Sequence, residues 1–228
     1  MTAAGRLAAA GLIPLLLTAG WFALSEGMVA VLWGGVHSHA SLWDDGAESL
    51  APEDSVRSRD FVEQALDWDP ADPQLLQTAG RIYWWGAWLQ RDDPALVQSR
   101  VSRSLDYYRE AIRRRPAWPA AWLDLAYAKH RQGDWGEEFQ RAFARGWDNG
   151  SWREPVIRTA VELGLDAWDR LSEANRRILY SALYRAELRD PRWIRRLVKD
   201  RGGVFILCLA LRDNPPTAGW CREQGYDL

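Results

Sequence analysis

The stretch "AIRRRPAWPAAWLDLAYAKH", Ala111 to His130, sets two prolines three residues apart between two helix-forming runs. A proline stops the outgoing helix, because it lacks an N–H and its ring clashes with the preceding turn. A second proline suits the first turn of the next helix, where its missing N–H costs nothing. The stretch therefore predicts a sharp turn between two helices. Working outward, the arrangement occurs once more. "FVEQALDWDPADPQLLQTAGRIY", residues 61–83, aligns with "YYREAIRRRPAWPAAWLDLAYAK", residues 107–129. Ala65 meets Ala111, Leu66 meets Ile112, Pro70 meets Pro116 and Pro73 meets Pro119. Leu76 meets Trp122, and Gly80 meets Ala126, at a constant offset of 46 residues. An internal repeat of this kind reads as stacked helical hairpins. Small residues mark where helices come close; Leu76 and Trp122 are expected to fill the gaps between them.

The motif resembles the tetratricopeptide repeat, in which an alanine is followed five residues on by a proline. That family's period is about 34 residues. The offset here is longer by 12, although Pro70 to Gly80 and Pro116 to Ala126 keep the family's interval. The excess must lie between Tyr83 and Leu105, which predicts longer helices and a longer inner turn around "RDDP". A degenerate third unit follows in "HRQGDWGEEFQRAFARGW", residues 130–147. Helical stripes continue through Ile157, Ala160, Val161 and Leu165, and again through Ile178, Leu179, Ala182, Leu183 and Ala186. Ser172 before Glu173 is a helix start. "VFILCLALRD" and "PPTAGWCREQG" predict a closing hairpin that caps the stack. With no hairpin signal for strands, the expected fold is all-α: a transmembrane helix, then a tetratricopeptide-like helical-hairpin solenoid.

The anchor is expected from "LAAAGLIPLLLTAGWFALS", Leu7 to Ser25, nineteen residues without a charge. That length spans a bilayer core, and membrane helices tolerate a proline such as Pro14. Arg6 precedes the run, and no Lys or Arg follows until Arg57. The positive-inside rule then puts the N-terminus in the cytoplasm and the remainder in a bacterial periplasm, on a single-pass inner-membrane topology. A cleaved signal peptide is the rival reading. The expected boundaries are anchor 1–36, linker 37–54 and helical domain 55–228. Cys208 and Cys221, the only cysteines, can form a disulfide in an oxidising compartment or stand as buried free thiols.

The formal net charge of −2 gives no footprint for nucleic acid. Apolar residues at 47% and charged residues at 26% describe a folded chain. His37 and His39 lie near Asp44 and Asp45, but their spacing is poor for a metal. No phosphate loop or nucleophile elbow occurs, so neither a catalytic residue nor a cofactor is assigned. What remains is a binding face. The tetratricopeptide resemblance implies that the first helix of each pair lines a groove. By the alignment these positions are Gln77, Arg81, Trp84 and Trp85, with Leu123, Tyr127, His130 and Arg131 as their equivalents. Arginines beside aromatics can hold a carboxylate, a peptide or a sugar. Most of the fifteen tryptophans are expected to be fillers between helices. The anchor, the repeats, "WREPVIRTAVELGLDAWDRL" and the C-terminal cysteine together look similar to VpsP-type proteins of bacterial exopolysaccharide operons. That resemblance implies a membrane-tethered accessory protein binding a protein partner in an envelope polysaccharide system, or the glycan itself.

Overall fold

The computed structural model describes residues 3–44, 52–89 and 92–227. Every regular element among the described residues is helical, and eleven α-helices follow one another. They are α1 Ala3–Asp44, α2 Pro52–Trp68, α3 Pro73–Leu89, α4 Pro94–Arg114, α5 Pro119–Arg131 and α6 Glu137–Asp148. α7 Glu154–Asp166, α8 Glu173–Arg189, α9 Pro191–Asp200, α10 Val204–Ala210 and α11 Pro215–Glu223 complete the chain. Two compact units result, Met1–Arg114 and Arg115–Leu228. The single domain expected from residue 55 onward is thus divided, at the second proline hinge. α1 also runs eight residues into the segment expected to be linker, ending at Asp44.

Both hinges form as the prolines dictate. Pro73 opens α3 and Pro119 opens α5, while Pro70 and Pro116 lie just beyond the ends of α2 and α4. Ala65 and Ala111 are fully buried, as the close-approach argument requires. Asp72 caps α3 by accepting from the N–H groups of Gln74 and Leu75. Asp93 does the same for α4 through Ala95 and Leu96. The extra length of the first repeat goes into its helices and not into a longer inner turn, since α3 ends at Leu89 and α4 already starts at Pro94. α3 and α4 have 17 and 21 residues, against 13 and 12 for α5 and α6.

In the first unit α2, α3 and α4 pack in sequence, and α1 lies against α2. Gly80 is where α3 and α4 touch: a Cβ there would stand 2.5 Å from the Tyr108 ring. Ser104 donates to the Gly80 carbonyl at 2.8 Å. Arg100 is buried and donates to the Gly86 carbonyl at 2.7 Å. Residues Leu12–Val31 of α1 are long and apolar enough to cross a membrane, with a mean hydropathy of 1.5 and none of the span buried. A signal sequence meets the same test. The Trp21 and Trp68 rings lie 5.8 Å apart, and Glu26, Val29 and Ala30 share a cleft with Asp72, Gln74 and Leu75. The α2–α3 turn therefore flanks residues 21–30 of α1.

The second unit is built around α8, which touches α6, α7, α9 and α10. Phe139, Phe143, Leu179, Leu183, Ile194 and Leu207 fill its core, with less than 2% of each exposed. Gly146 lets α6 approach α5, since a Cβ would meet Leu123 at 2.6 Å. Gln140 ties α6 to the α7–α8 connection with its whole amide. Its Nε2 donates to the carbonyls of Trp135 and Arg170, and its Oε1 accepts from Ser172 N and Asn175 Nδ2. Ser172 caps α8 as expected, accepting from Asn175 N. The closing hairpin forms from α10 and α11, and Cys208 is joined to Cys221 with a Cα separation of 5.7 Å.

The tryptophans are used differently from the expectation. Of those with described side chains only Trp84 and Trp147 are buried. Five of the others lie half-buried under a cation, as does the buried Trp147. In the second unit Arg115, Arg158, Arg170, Arg176, Arg185 and Arg195 cover Trp118, Trp193, Trp135, Trp168, Trp147 and Trp220 respectively, at 4.3–5.3 Å from each ring centroid. An arginine can shield an indole face while its charge stays in water. Trp122, expected between helices, instead folds over its own hinge and donates to the Pro116 carbonyl at 2.7 Å.

Candidate functional site

The candidate site is the face shared by α5 and α7 in the second unit. Tyr127, His130 and Arg131 stand at i, i+3 and i+4 near the end of α5, so one side of the helix carries all three. α7 packs beside α5 and brings Glu162 and Asp166, again one turn apart. Arg201, just past α9, joins them by pairing with Asp166 and with Glu162 at 3.8 Å. Tyr127 lies within electrostatic range of Arg201, and Asp166 within range of His130, which places the groups in one neighbourhood.

His130 is held by the turn that follows it. Trp135 Nε1–H donates to His130 Nδ1 at 3.0 Å, and the Phe139 ring lies 6.5 Å away. Burial lowers the imidazole pKa; Arg131 lowers it further, and Asp166 opposes both. With Nδ1 accepting, the neutral ring carries its proton on Nε2. Arg170 in turn covers Trp135 at 4.9 Å. Beneath this turn Lys129 is buried and pairs with Asp134 and with Glu138 at 3.1 Å. Burial alone would lower the Lys129 pKa, but these carboxylates outweigh it and raise the ammonium above its ordinary value.

The arrangement offers an exposed tyrosine, an imidazole donor, two guanidiniums and two carboxylates. Both carboxylates are engaged by Arg201. Such mixed, charge-balanced groups on a helical face suit a polypeptide, whose own side chains carry both signs.

Of the eight positions expected to line a groove, this face gathers Tyr127, His130 and Arg131. Leu123 is buried against Gly146 and takes no part. In the first unit Gln77 and Trp84 are each only 8% exposed, Trp85 is half-buried and Arg81 is exposed. The groove expected along α3 is therefore closed at Gln77 and Trp84. The reason is that α3 is covered on two sides, by α2 and by α4. Glu162, Asp166, Arg201 and Trp135 were not selected from the sequence. Their only sequence signal was charge or aromaticity within helical runs, and Arg201 arrives from a different part of the chain.

A second concavity, about 350 Å³, lies beside the disulfide and is lined by Arg212, Asp213, Pro215, Arg222, Tyr226 and Asp227 among others. Its own charges balance. Among the described residues no group of His, Cys, Asp and Glu is placed to hold a metal; the His37 and His39 side chains lie outside the described residues. Compared with models of known protein families and with curated proteins, the chain matches none.

Proposed function

We propose that this chain is a membrane-anchored binding protein, not an enzyme, in which the α5–α7 face receives a partner protein. The observation that carries the reading is the convergence of Tyr127, His130, Arg131, Glu162, Asp166 and Arg201 from three separate segments. Tyr and Arg are the side chains that most often anchor interfaces. On this reading the paired hinges belong to a tetratricopeptide-like solenoid, whose first helices, α5 and α7, present the binding face. α1 holds the chain in a bacterial inner membrane with the helical units in the periplasm. The disulfide suits that oxidising compartment. The likeness to VpsP-type proteins gives the setting: an accessory factor in exopolysaccharide assembly or export.

The test is crosslinking in native membranes, with wild type compared with Tyr127→Ala and Arg131→Ala. Enrichment of a glycan synthase or export component, lost in both variants, supports the reading. An unchanged set of crosslinked proteins overturns it. Intact mass of the protein from those membranes checks the anchor separately: loss of the first 20 or so residues would mark a cleaved signal.

A further inference from the structure

The strongest unassigned feature is the outer face of α8 with the loop that joins α6 to α7. Trp152 in that loop is 66% exposed, and Tyr184 and Leu188, one turn apart on α8, are 46% and 64% exposed. The adjacent row of α8 carries Arg185 and Arg189. Arg185 Nη1 donates to the Ser151 carbonyl at 2.6 Å and lies over the buried Trp147 ring. Arg189 Nη1 reaches the Trp152 carbonyl at 3.4 Å. Both guanidiniums are exposed, and neither is in an ion pair among the described residues.

The loop itself is fixed. Gly150 sits so close to Pro119 and Val156 that a Cβ would approach them to 2.8 and 3.0 Å. Asn149 Nδ2 donates to the Pro116 carbonyl. Two cations and the loop backbone that carries Trp152 are thus held in place before any ligand arrives, which removes part of the entropy cost of binding. The arginines stand one turn apart, about 6 Å along the helix. That is close to the length of one hexose unit.

We propose that this surface binds a carboxylate-bearing polysaccharide. Arg185 and Arg189 hold acid groups on neighbouring sugars, and Trp152 and Tyr184 cover sugar faces. A guanidinium already bonded to a carbonyl keeps N–H donors for a carboxylate. The exposed rings give the site what a purely ionic patch lacks, a preference for flat, weakly hydrated faces beside the charge. An acidic peptide shares the charge but not the repeat of faces. The proposal stands apart from the α5–α7 reading, because Tyr127 and Arg131 have no part in it.

The experiment is titration of the full chain, in detergent micelles, with oligogalacturonate. Maltooligosaccharide serves as the uncharged control and polyglutamate as the charged control. Oligogalacturonate should bind and maltooligosaccharide should not. Arg185→Gln with Arg189→Gln should weaken binding by at least about 30-fold, and Trp152→Ala by about ten-fold. Trp152→Ala keeps the loop carbonyls and both arginines, so its fold is retained. Arg177→Gln, on the same helix and paired with Glu173, should leave binding unchanged. Failure of oligogalacturonate to bind overturns the proposal. So does equal or tighter binding of polyglutamate, or indifference to the Trp152 and double-arginine variants.

Discussion

The cross-link between Cys208 and Cys221 makes the sharpest test of how the second unit is held together. The bond closes a loop with a sequence separation of 13 and staples α11 to α10. α11 in turn supplies Thr217, whose hydroxyl donates to buried Glu187, and Trp220, which lies under Arg195 and Lys199. Opening a loop of this size restores chain entropy to the unfolded state worth about 3 kcal/mol. For a unit of this length the unfolding entropy is roughly 0.24 kcal/mol/K, so the loss corresponds to a fall of about 12 °C in Tm. The assay is thermal unfolding of the full chain, oxidised and after reduction under denaturant and refolding in reductant. Reduced wild-type protein isolates the cross-link, since both sulfur side chains remain; Cys208→Ala with Cys221→Ala adds the lost packing. Both bonded cysteines are at most 4% exposed, so reductant added to the native protein should act mainly through opening of the hairpin. A reduced protein melting within about 2 °C of the oxidised one would refute the reasoning.

Other consequences follow from single contacts. Gly80→Ala should destabilise the first unit by about 1–3 kcal/mol, because the new methyl strikes the Tyr108 ring; adding Tyr108→Ala should relieve the clash, giving non-additive denaturation free energies. Gln140→Glu should cost about 2–3 kcal/mol in chemical denaturation, since a carboxylate oxygen would then face the carbonyls of Trp135 and Arg170 that the amide now serves. His130 has a folded pKa below its ordinary value, so below about pH 6.5 the unfolded chain takes up a proton that the folded chain refuses. Its contribution is therefore present above that pH and lost as pH falls through the folded pKa. Tm between pH 7.5 and 5 should fall further in wild type than in His130→Gln, which keeps an acceptor for Trp135 and does not titrate; equal slopes would remove the assignment.

The helical hairpins were legible because prolines act locally. Pro73 and Pro119 start helices through their own φ angle and missing N–H, whatever packs against them. A related local signal lies in the residue before each proline: Asp72, Asp93, Asp190 and Asn214 each precede a proline, and each caps the helix that the proline opens. Burial was legible where size demanded it, as at Ala65, Ala111 and Gly80, and where apolar residues recurred at helical spacing, as at Ile157, Ala160 and Val161. It failed for the tryptophans, because an indole can be covered by a distant arginine as well as by a neighbouring helix. Arg158 over Trp193 and Arg185 over Trp147 are pairings that no spacing reveals.

The sequence by itself determined that the chain is helical, where two of its turns fall, and that one apolar helix stands at the start. These rest on backbone chemistry within a few residues. Only the tertiary structure decided that Gln77 and Trp84 are buried while Tyr127 comes within electrostatic range of Arg201 and His130 of Asp166. It also decided that the chain divides at the second hinge. A helix has several faces, and which one meets solvent depends on how many neighbours it acquires, a property of the whole packing and not of the helix.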